Sequence, residues 1–305
     1  MTDRDPHDYS WLPQDIRDFI AKTDSFYPPD AIKFTIEQQR AFYDKMCAAF
    51  DPPHPAGLRF EDVKIAGVSC RRYTPTAPRS GVTVVYIHGG GFILGGLDSH
   101  DSICAELAEG AQVTLIAVDY RLVPEHKHPA AYDDCVAVVE AIDGPKILAG
   151  DSGGGNLAAA VAATRPGIVG QVLIYGAFGR DLSLPSYERH AFAPGLTRED
   201  IEFYMDIRFD GTRPDCDVTA VPSDAVDFSV LPPTALFSAE CDPIASDSVD
   251  YAARLAEAGV AVQLTEEPGM IHGYLRARHM AKGARDSFER ITTALKDMVT
   301  HASDQ

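Results

Sequence analysis

Lys146-Ile147-Leu148-Ala149-Gly150-Asp151-Ser152-Gly153-Gly154-Gly155-Asn156-Leu157-Ala158-Ala159-Ala160 is the stretch on which the fold turns. A short apolar run, Ile147 to Ala149, reads as a buried strand. It meets a glycine-rich turn, and an alanine-rich helical run starts at once. In a strand-turn-helix elbow of the form G-x-S-x-G the serine is held in a strained backbone conformation with its hydroxyl exposed, so the flanking positions must lack bulk. Gly150 and Gly154 fill them. The pattern alone also fits a plain glycine turn that lets a helix pack close to a sheet, so the rest of the chain has to supply partners for Ser152.

Working outward, long apolar runs separated by helical stretches begin at Gly81. The expected strands are Val82 to Ile87, Val113 to Val118, Lys146 to Ala149, Val172 to Tyr175, Thr234 to Ser238 and Val260 to Thr265. Near-continuous Val/Ile/Leu strands alternating with helices predict an α/β fold with a mostly parallel central sheet covered on both faces. Leu58 to Ile65 and Val68 to Tyr73, joined through Gly67, read as an antiparallel hairpin at the sheet edge. Helices are expected over residues 30–50, near Pro13 to Ala21, over Thr197 to Phe209 and over Ala284 to Met298. The alternation fails between Tyr175 and Pro232. Residues 1–55 are therefore expected to form an N-terminal helical cap segment and 179–230 a cap insertion, on a catalytic domain of 56–178 and 231–305.

Composition excludes several classes. The chain has 305 residues, 45% of them hydrophobic, and 27 Lys+Arg against 45 Asp+Glu give a net charge of −18. That balance opposes approach to nucleic acid or an anionic membrane surface. Met1-Thr2-Asp3-Arg4-Asp5-Pro6 does not read as a signal peptide, and no apolar run approaches the roughly 18 residues of a membrane span. A soluble, cytoplasmic protein is expected. The six cysteines show no C-x-x-C pairing, so reduced, mostly buried thiols are expected, without metal or cofactor.

Serine is a poor nucleophile at neutral pH and needs a base, which in turn needs an acid to hold its tautomer. Both should follow late strands, because crevices form at the carboxyl ends of a parallel sheet. After Thr234 to Ser238 comes Ala239-Glu240-Cys241-Asp242-Pro243. After Val260 to Thr265 comes a loop with His272 between Gly269 and Gly273. The order Ser152, Asp242, His272 is that of α/β-hydrolases. Asp247 is the alternative acid, placed inside a helix expected to begin near Ala245, and Cys241 reads as a small buried hydrophobe. His88-Gly89-Gly90-Gly91-Phe92 follows the first parallel strand. The backbone amides of Gly90 and Gly91, with that of Gly153, are the candidate donors to the negative oxygen of a tetrahedral intermediate. No G-K-[ST] follows the glycines, which removes a nucleotide loop, and His88 reads as a support for the turn.

These segments, together with Val118-Asp119-Tyr120-Arg121-Leu122-Val123-Pro124-Glu125-His126 and His272-Gly273-Tyr274, resemble the hormone-sensitive-lipase family of α/β-hydrolases, bacterial acetyl- and carboxylesterases with an H-G-G-G motif. The likeness covers roughly residues 80–300. It implies Ser152 as nucleophile, His272 as base, Asp242 as orienting acid, the three glycine amides as oxyanion donors, and Tyr120-Arg121 and Pro124-Glu125 as scaffold. Short-chain acyl esters are the implied substrates, and dimers are common among relatives. This chain departs from the family in having Gly153 where alanine is commonest, Asp247 shifted from the usual second aspartate, and Tyr274 in place of phenylalanine. Phe92, Phe203, Tyr204 and Tyr274 are candidate substrate contacts, and Trp11, Phe192 and Phe209 are further aromatics of the expected cap. An amide, carbamate or lactone hydrolase on the same groups remains an alternative. A non-catalytic small-molecule receptor is more remote, because such receptors lack the histidine.

Overall fold

In the computed structural model, which describes residues 7–28, 30–79, 81–209 and 211–303, an eight-stranded sheet in the order β1-β2-β4-β3-β5-β6-β7-β8 carries everything else. Residues 1–6, read above for a signal peptide, lie outside the described residues. Two helices precede the sheet, α1 (Gln14–Asp24) and α2 (Ile36–Ala48). The second starts on a capping box in which the Thr35 hydroxyl accepts from the Gln38 amide and the Gln38 side chain accepts from the Thr35 amide, the arrangement that satisfies two orphan donors at once. The 30–50 stretch expected as one helix is thus divided, with a 3₁₀ turn at Ala31–Lys33 before Thr35.

β1 (Arg59–Ile65) and β2 (Val68–Thr74) form the edge hairpin, with Ala66 and Gly67 both at positive φ in the turn. β2 pairs antiparallel with β4 (Leu115–Val118). From there the sheet is parallel through β3 (Thr83–Ile87), β5 (Lys146–Asp151), β6 (Ile168–Ile174), β7 (Thr234–Cys241) and β8 (Val262–Ile271). The connecting helices are α3 (Asp101–Ala111), α4 (Ala130–Ala141), α5 (Gly153–Thr164), α8 (Ala245–Glu257) and the terminal α9 (Lys282–Ser303).

Strand alternation divides the core. Val84, Tyr86, Ile147, Ala149 and Phe237 face a layer with α3 and α9, joined by Ile16, Phe19 and Met46 of the N-terminal helices. Val85, Ile87, Leu148, Leu173 and Leu236 face the layer of α4, α5 and α8. Residues i and i+2 share a face of the pleat, so the central strands are largely apolar because both faces are covered. Truncating a fully buried member such as Leu148 to alanine would cost about 2–5 kcal/mol.

The strand ends shift by two or three residues at β4 (Leu115–Val118), β5 (Lys146–Asp151) and β7 (Thr234–Cys241), and two strands differ more from the sequence reading. β6 begins four residues earlier than Val172, since Gly170 and Gln171 conceal it; Gln171 is fully buried and its Nε2 donates to Thr234 Oγ1 at 2.8 Å. β8 runs on past Thr265 through Glu266-Glu267-Pro268-Gly269, a loop-like sequence, because Glu267 is buried and paired with Arg290 of α9. The 179–230 stretch holds a short helix not expected from the sequence, α6 (Pro185–Arg189), besides α7 (Arg198–Phe209). Among the described residues no helix is long and apolar enough to cross a membrane. No disulfide forms, and five of the six cysteines are buried, with Cys216 exposed.

Candidate active site

The elbow closes at the end of β5. Ser152 has φ 53° and ψ −123°, between the last residue of β5 and the first of α5. A positive φ in a residue with a side chain costs of order 1–3 kcal/mol and persists where the surroundings enforce it. Here they do so by contact. A Cβ on Gly154 would lie 2.0 Å from the Ile87 carbonyl oxygen, and one on Gly150 would lie 2.6 Å from that of Gly154. The two glycines that flank Ser152 let β3, β5 and α5 approach to this distance.

The imidazole of His272 stands just beyond β8. Its Nε2 accepts from the Ser152 hydroxyl at 2.8 Å, and its Nδ1–H donates to Asp242 Oδ2 at 2.6 Å. Asp242 follows β7 directly and is fully buried, and its other oxygen accepts from the Ile244 amide at 3.0 Å. The bulge between Ala239 and Cys241 and the bond from the Gly269 amide to Glu240 Oε2, 2.7 Å, set the two loops against each other. Asp247 is elsewhere. It lies in the first turn of α8, and its carboxylate accepts from the Phe178 and Gly179 amides, each at 2.9 Å, and from the Tyr187 hydroxyl. It makes no bond to His272, so the structure does not bring the alternative acid to the base; it braces the start of the 179–230 stretch instead. Burial raises its carboxyl to about 6, against those hydrogen bonds.

Gly89 to Gly91 follow β3 beside the elbow. The Gly89 amide donates to Asp151 Oδ1 at 3.0 Å, whereas the amides of Gly90 and Gly91 have no hydrogen-bond partner among the described residues. Gly153 opens α5, where the first amides of a helix have no partner within it. Donors are therefore left over on both sides of Ser152. His88 is buried with its ring stacked on Tyr120 at 4.3 Å, and its Nδ1–H donates to the Gly89 carbonyl. Burial, with His100 close by, pushes its pKa down to about 3, so it is a neutral prop.

Asp151 escaped the sequence reading although it stands inside the motif. Its carboxylate receives the Tyr86 hydroxyl at 2.8 Å as well as the Gly89 amide, and His100 lies at 3.4 Å. Burial alone would raise this carboxyl, but His100, Arg276 and the Tyr86 bond outweigh it and hold it below its ordinary range. An ionised carboxylate thus ties the glycine loop to the nucleophile's own strand, one residue from Ser152.

A cavity of about 360 Å³ opens over the serine. Phe92, Phe203, Tyr204 and Phe209 are on its wall, and the Tyr204 ring packs over Gly91, where a Cβ would come within 2.8 Å. Gly195 closes against the His272 carbonyl in the same way. Three expected aromatics are not there. Tyr274 is fully buried behind the site, with its hydroxyl on Ser287 and its ring on Tyr175, so the structure corrects its assignment as a substrate contact. Phe192 is half-exposed and stacks on His7, and Trp11 sits at the rim of the core. The wall holds polar residues the sequence did not single out, chiefly Asn156, Arg208 and Arg213.

A serine, a carboxylate and an imidazole thus stand at the carboxyl ends of three parallel strands, in that chain order, and the model of the alpha/beta hydrolase fold matches residues 84–276. The chain belongs to the α/β-hydrolase family. The match bears out the resemblance read from the His88-Gly89-Gly90-Gly91 and Gly150-Asp151-Ser152 motifs. Among curated relatives, carboxylesterase NlhH of Mycobacterium tuberculosis is 38% identical over 255 residues, covering 76% of this chain and 79% of that protein. Ethyl acetate hydrolase of Pseudomonas putida is 33% identical over 243 residues, 71% of this chain and 73% of the relative. Among solved structures, the hyperthermophilic esterase of the archaeon Pyrobaculum calidifontis superposes with a TM-score of 0.81 at 29% identity, covering 94% of this chain and 98% of that one.

Proposed function

We propose that this α/β-hydrolase hydrolyses short-chain acyl esters through an acyl-enzyme on Ser152, with His272 as base and Asp242 as the acid that orients it. The chain is a serine carboxylesterase. The observation that carries the residue assignment is the unbroken relay of 2.6 Å and 2.8 Å from Asp242 through His272 to Ser152. His272 Nε2 takes the serine proton as Oγ attacks the ester carbonyl, and Asp242 holds the opposite nitrogen protonated and stabilises the imidazolium. The unpartnered amides of Gly90, Gly91 and Gly153 receive the oxyanion. The imidazolium then protonates the departing alcohol, and water repeats the sequence on the acyl-enzyme.

Residues 1–55 and 179–230 act as a cap on the domain formed by 56–178 and 231–305. The contacts of α2 and α7 support this reading. Arg40 of α2 donates to the Ile93 and Val123 carbonyls and to both oxygens of Glu125, which seats the helix on the shoulder of the glycine loop, and Tyr204 of α7 covers Gly91. A cavity of this volume suits a small ester better than a long acyl chain. A cytoplasmic setting fits the five buried thiols and the absence of disulfides among the described residues.

The test is an acyl series of p-nitrophenyl esters from acetate to palmitate with wild type and Ser152→Ala. The wild type should prefer acetate and butyrate to palmitate, and the variant should lose about a million-fold in kcat with an unchanged circular dichroism spectrum. Full activity in Ser152→Ala sinks the mechanism, and a preference for palmitate sinks the small-ester reading. Inert esters with a cleaved anilide would make the enzyme an amidase.

A further inference from the structure

Two arginines share the cavity wall with no carboxylate in ion-pair contact with either among the described residues; Asp217 acts on Arg208, and Asp247 and Asp224 on Arg213, only from a distance. Arg208, in the last turn of α7, is 5% exposed. Its guanidinium lies 3.7 Å above the Phe92 ring, its Nη1 makes a long contact of 3.3 Å to Asn156 Oδ1, and its Nη2 is buried with no partner. Arg213 donates to the Gly179 carbonyl and toward Met205 Sδ, and its Nε is likewise buried and unpartnered. Burial, with the second cation adding to it, depresses Arg208 to about 9, so it stays charged at neutral pH, and burial lowers Arg213 as well.

The other charges on the wall are engaged or far weaker calls on a ligand. Asp151 holds the glycine loop, Asp200 accepts from Thr197, Arg276 donates to Tyr43, and Asp24 has its carboxyl raised by burial. In a chain with 45 acidic residues against 27 basic, a carboxylate partner for either arginine was readily available by composition. A desolvated cation without a close partner carries a cost that the distant carboxylates offset only in part, and both arginines line the cavity, where a ligand carboxylate could complete the pairing.

Resting on the ester-hydrolase reading above, we infer that the cavity selects esters whose acyl half ends in a carboxylate, the half-esters of short dicarboxylic acids, with Arg208 as the residue that binds the free carboxylate and Arg213 reinforcing it. Asn156 stands one turn along α5 from Ser152, its amide bonded to the Ser152 carbonyl, its side chain contacts Arg208, and Ser152 and Arg208 line the same cavity. The leaving oxygen must end beside His272, whose ring is held by Asp242, Tyr175 and the Gly195 loop. Arg208 reaches the site through Phe92 and Asn156. The two sets of contacts share no member, which assigns the cation to the acyl half.

The experiment compares kcat/KM for monomethyl glutarate and the neutral methyl hexanoate in wild type, Arg208→Met and Arg208→Lys, followed by acid release in a pH-stat. Wild type should favour the half-ester by at least about 10-fold. The ratio should fall about 30-fold or more in Arg208→Met, as for a lost charge-assisted hydrogen bond, and recover in part in Arg208→Lys. A wild-type ratio of one or below, or a ratio unchanged in Arg208→Met, overturns the inference. Should Arg208→Met not fold, inhibition of wild-type p-nitrophenyl butyrate hydrolysis decides: glutarate competing at far lower concentration than hexanoate supports the site, and equal or absent inhibition overturns it. Wild type inert toward p-nitrophenyl butyrate and methyl hexanoate alike would instead remove the underlying ester-hydrolase reading.

Discussion

The floor of the cavity and its wall are built on opposite plans. The floor is Ser152, Asp242 and His272, each directly after the end of a parallel strand, with the glycine loop that follows β3, and at Gly150 and Gly154 it is locked by backbone contacts too close for any added side chain. The wall comes largely from α1, α2 and the 179–230 stretch, which carries the helices α6 and α7 and two 3₁₀ turns, Pro222–Asp224 and Phe228–Val230. It is pinned at a few polar points: Asn156 Nδ2 donates to the carbonyls of Ala177 and Ala220, Asp247 holds Phe178 and Gly179, and Arg40 holds Ile93 and Val123. A rigid floor fixes the reaction coordinate. A wall attached at a few points is free to diverge in the side chains it presents, and it decides which ester enters.

The sharpest way to break this division is through the two aspartates. Asp242→Asn leaves the shape of the floor but reverses the hydrogen bond that sets the tautomer of His272, so kcat on p-nitrophenyl butyrate should drop roughly 10,000-fold with little change in KM. Asp247→Asn alters only a brace of the wall, so its kcat should fall less than about 10-fold. A larger loss in Asp247→Asn than in Asp242→Asn would exchange the roles assigned to them.

Next in size is Gly154→Ala. The new Cβ would have to lie 2.0 Å from the Ile87 carbonyl oxygen and 2.5 Å from that of His88, both backbone atoms of the strand and loop beneath. Neither yields without parting α5 from β3, so a loss of at least about 3 kcal/mol in unfolding free energy is expected by denaturant titration, with activity falling alongside. An enzyme of wild-type stability would mean that the elbow is looser than its contacts imply.

The same division explains what the sequence disclosed. Each floor residue is announced locally, by an apolar run followed at once by Gly-x-Ser-x-Gly, by three glycines, by Asp-Pro, or by a histidine between glycines. Strand position then does the assembling, so spacing and chain order were enough. The wall has no such local signal. Arg208 reads as an ordinary basic residue in the last turn of an amphipathic helix, favourable to the helix dipole, and nothing in its neighbours discloses that Phe92, far away in sequence, covers it. Tyr274 failed for the converse reason: it directly follows the His272-Gly273 pair, yet the positive φ of Gly273 turns the chain inward and buries the ring. Polar residues in strands misled in a third way, since Gln171 and Glu267 look like strand ends until their partners Thr234 and Arg290 are known.

Asp247 also provides a pH signature for the wall's attachment. Its folded carboxyl titrates at about 6, above the ordinary 3.8, so between those values the folded state binds more protons than the unfolded. Stability must therefore fall as pH rises through that window and level off above about 6, by roughly 3 kcal/mol from this group alone. The difference in unfolding free energy between wild type and Asp247→Asn, measured from pH 3.5 to 7.5, should show that decline. A flat difference would place the carboxylate in contact with water and the base of the insertion open.

The smallest effect tests where floor and wall meet. Gly153 lies in the elbow, but what a Cβ there would touch is the Phe92 ring, at 3.3 to 3.5 Å, and not backbone. A ring can shift by a few tenths of an ångström where a strand carbonyl cannot, and alanine gains about 1 kcal/mol over glycine in a helix. Gly153→Ala should thus be neutral or slightly more stable, and its amide remains available to the oxyanion, so kcat on acetate esters should stay within about 3-fold of wild type. Phe92 also carries the guanidinium of Arg208 on its face. Any displacement of the ring is passed to the wall, and the change should appear in the relative rates of longer and charged acyl groups. A variant that loses kcat uniformly across acyl groups would show that Phe92 belongs to the floor, and that the boundary between reaction and selectivity lies further out along α7.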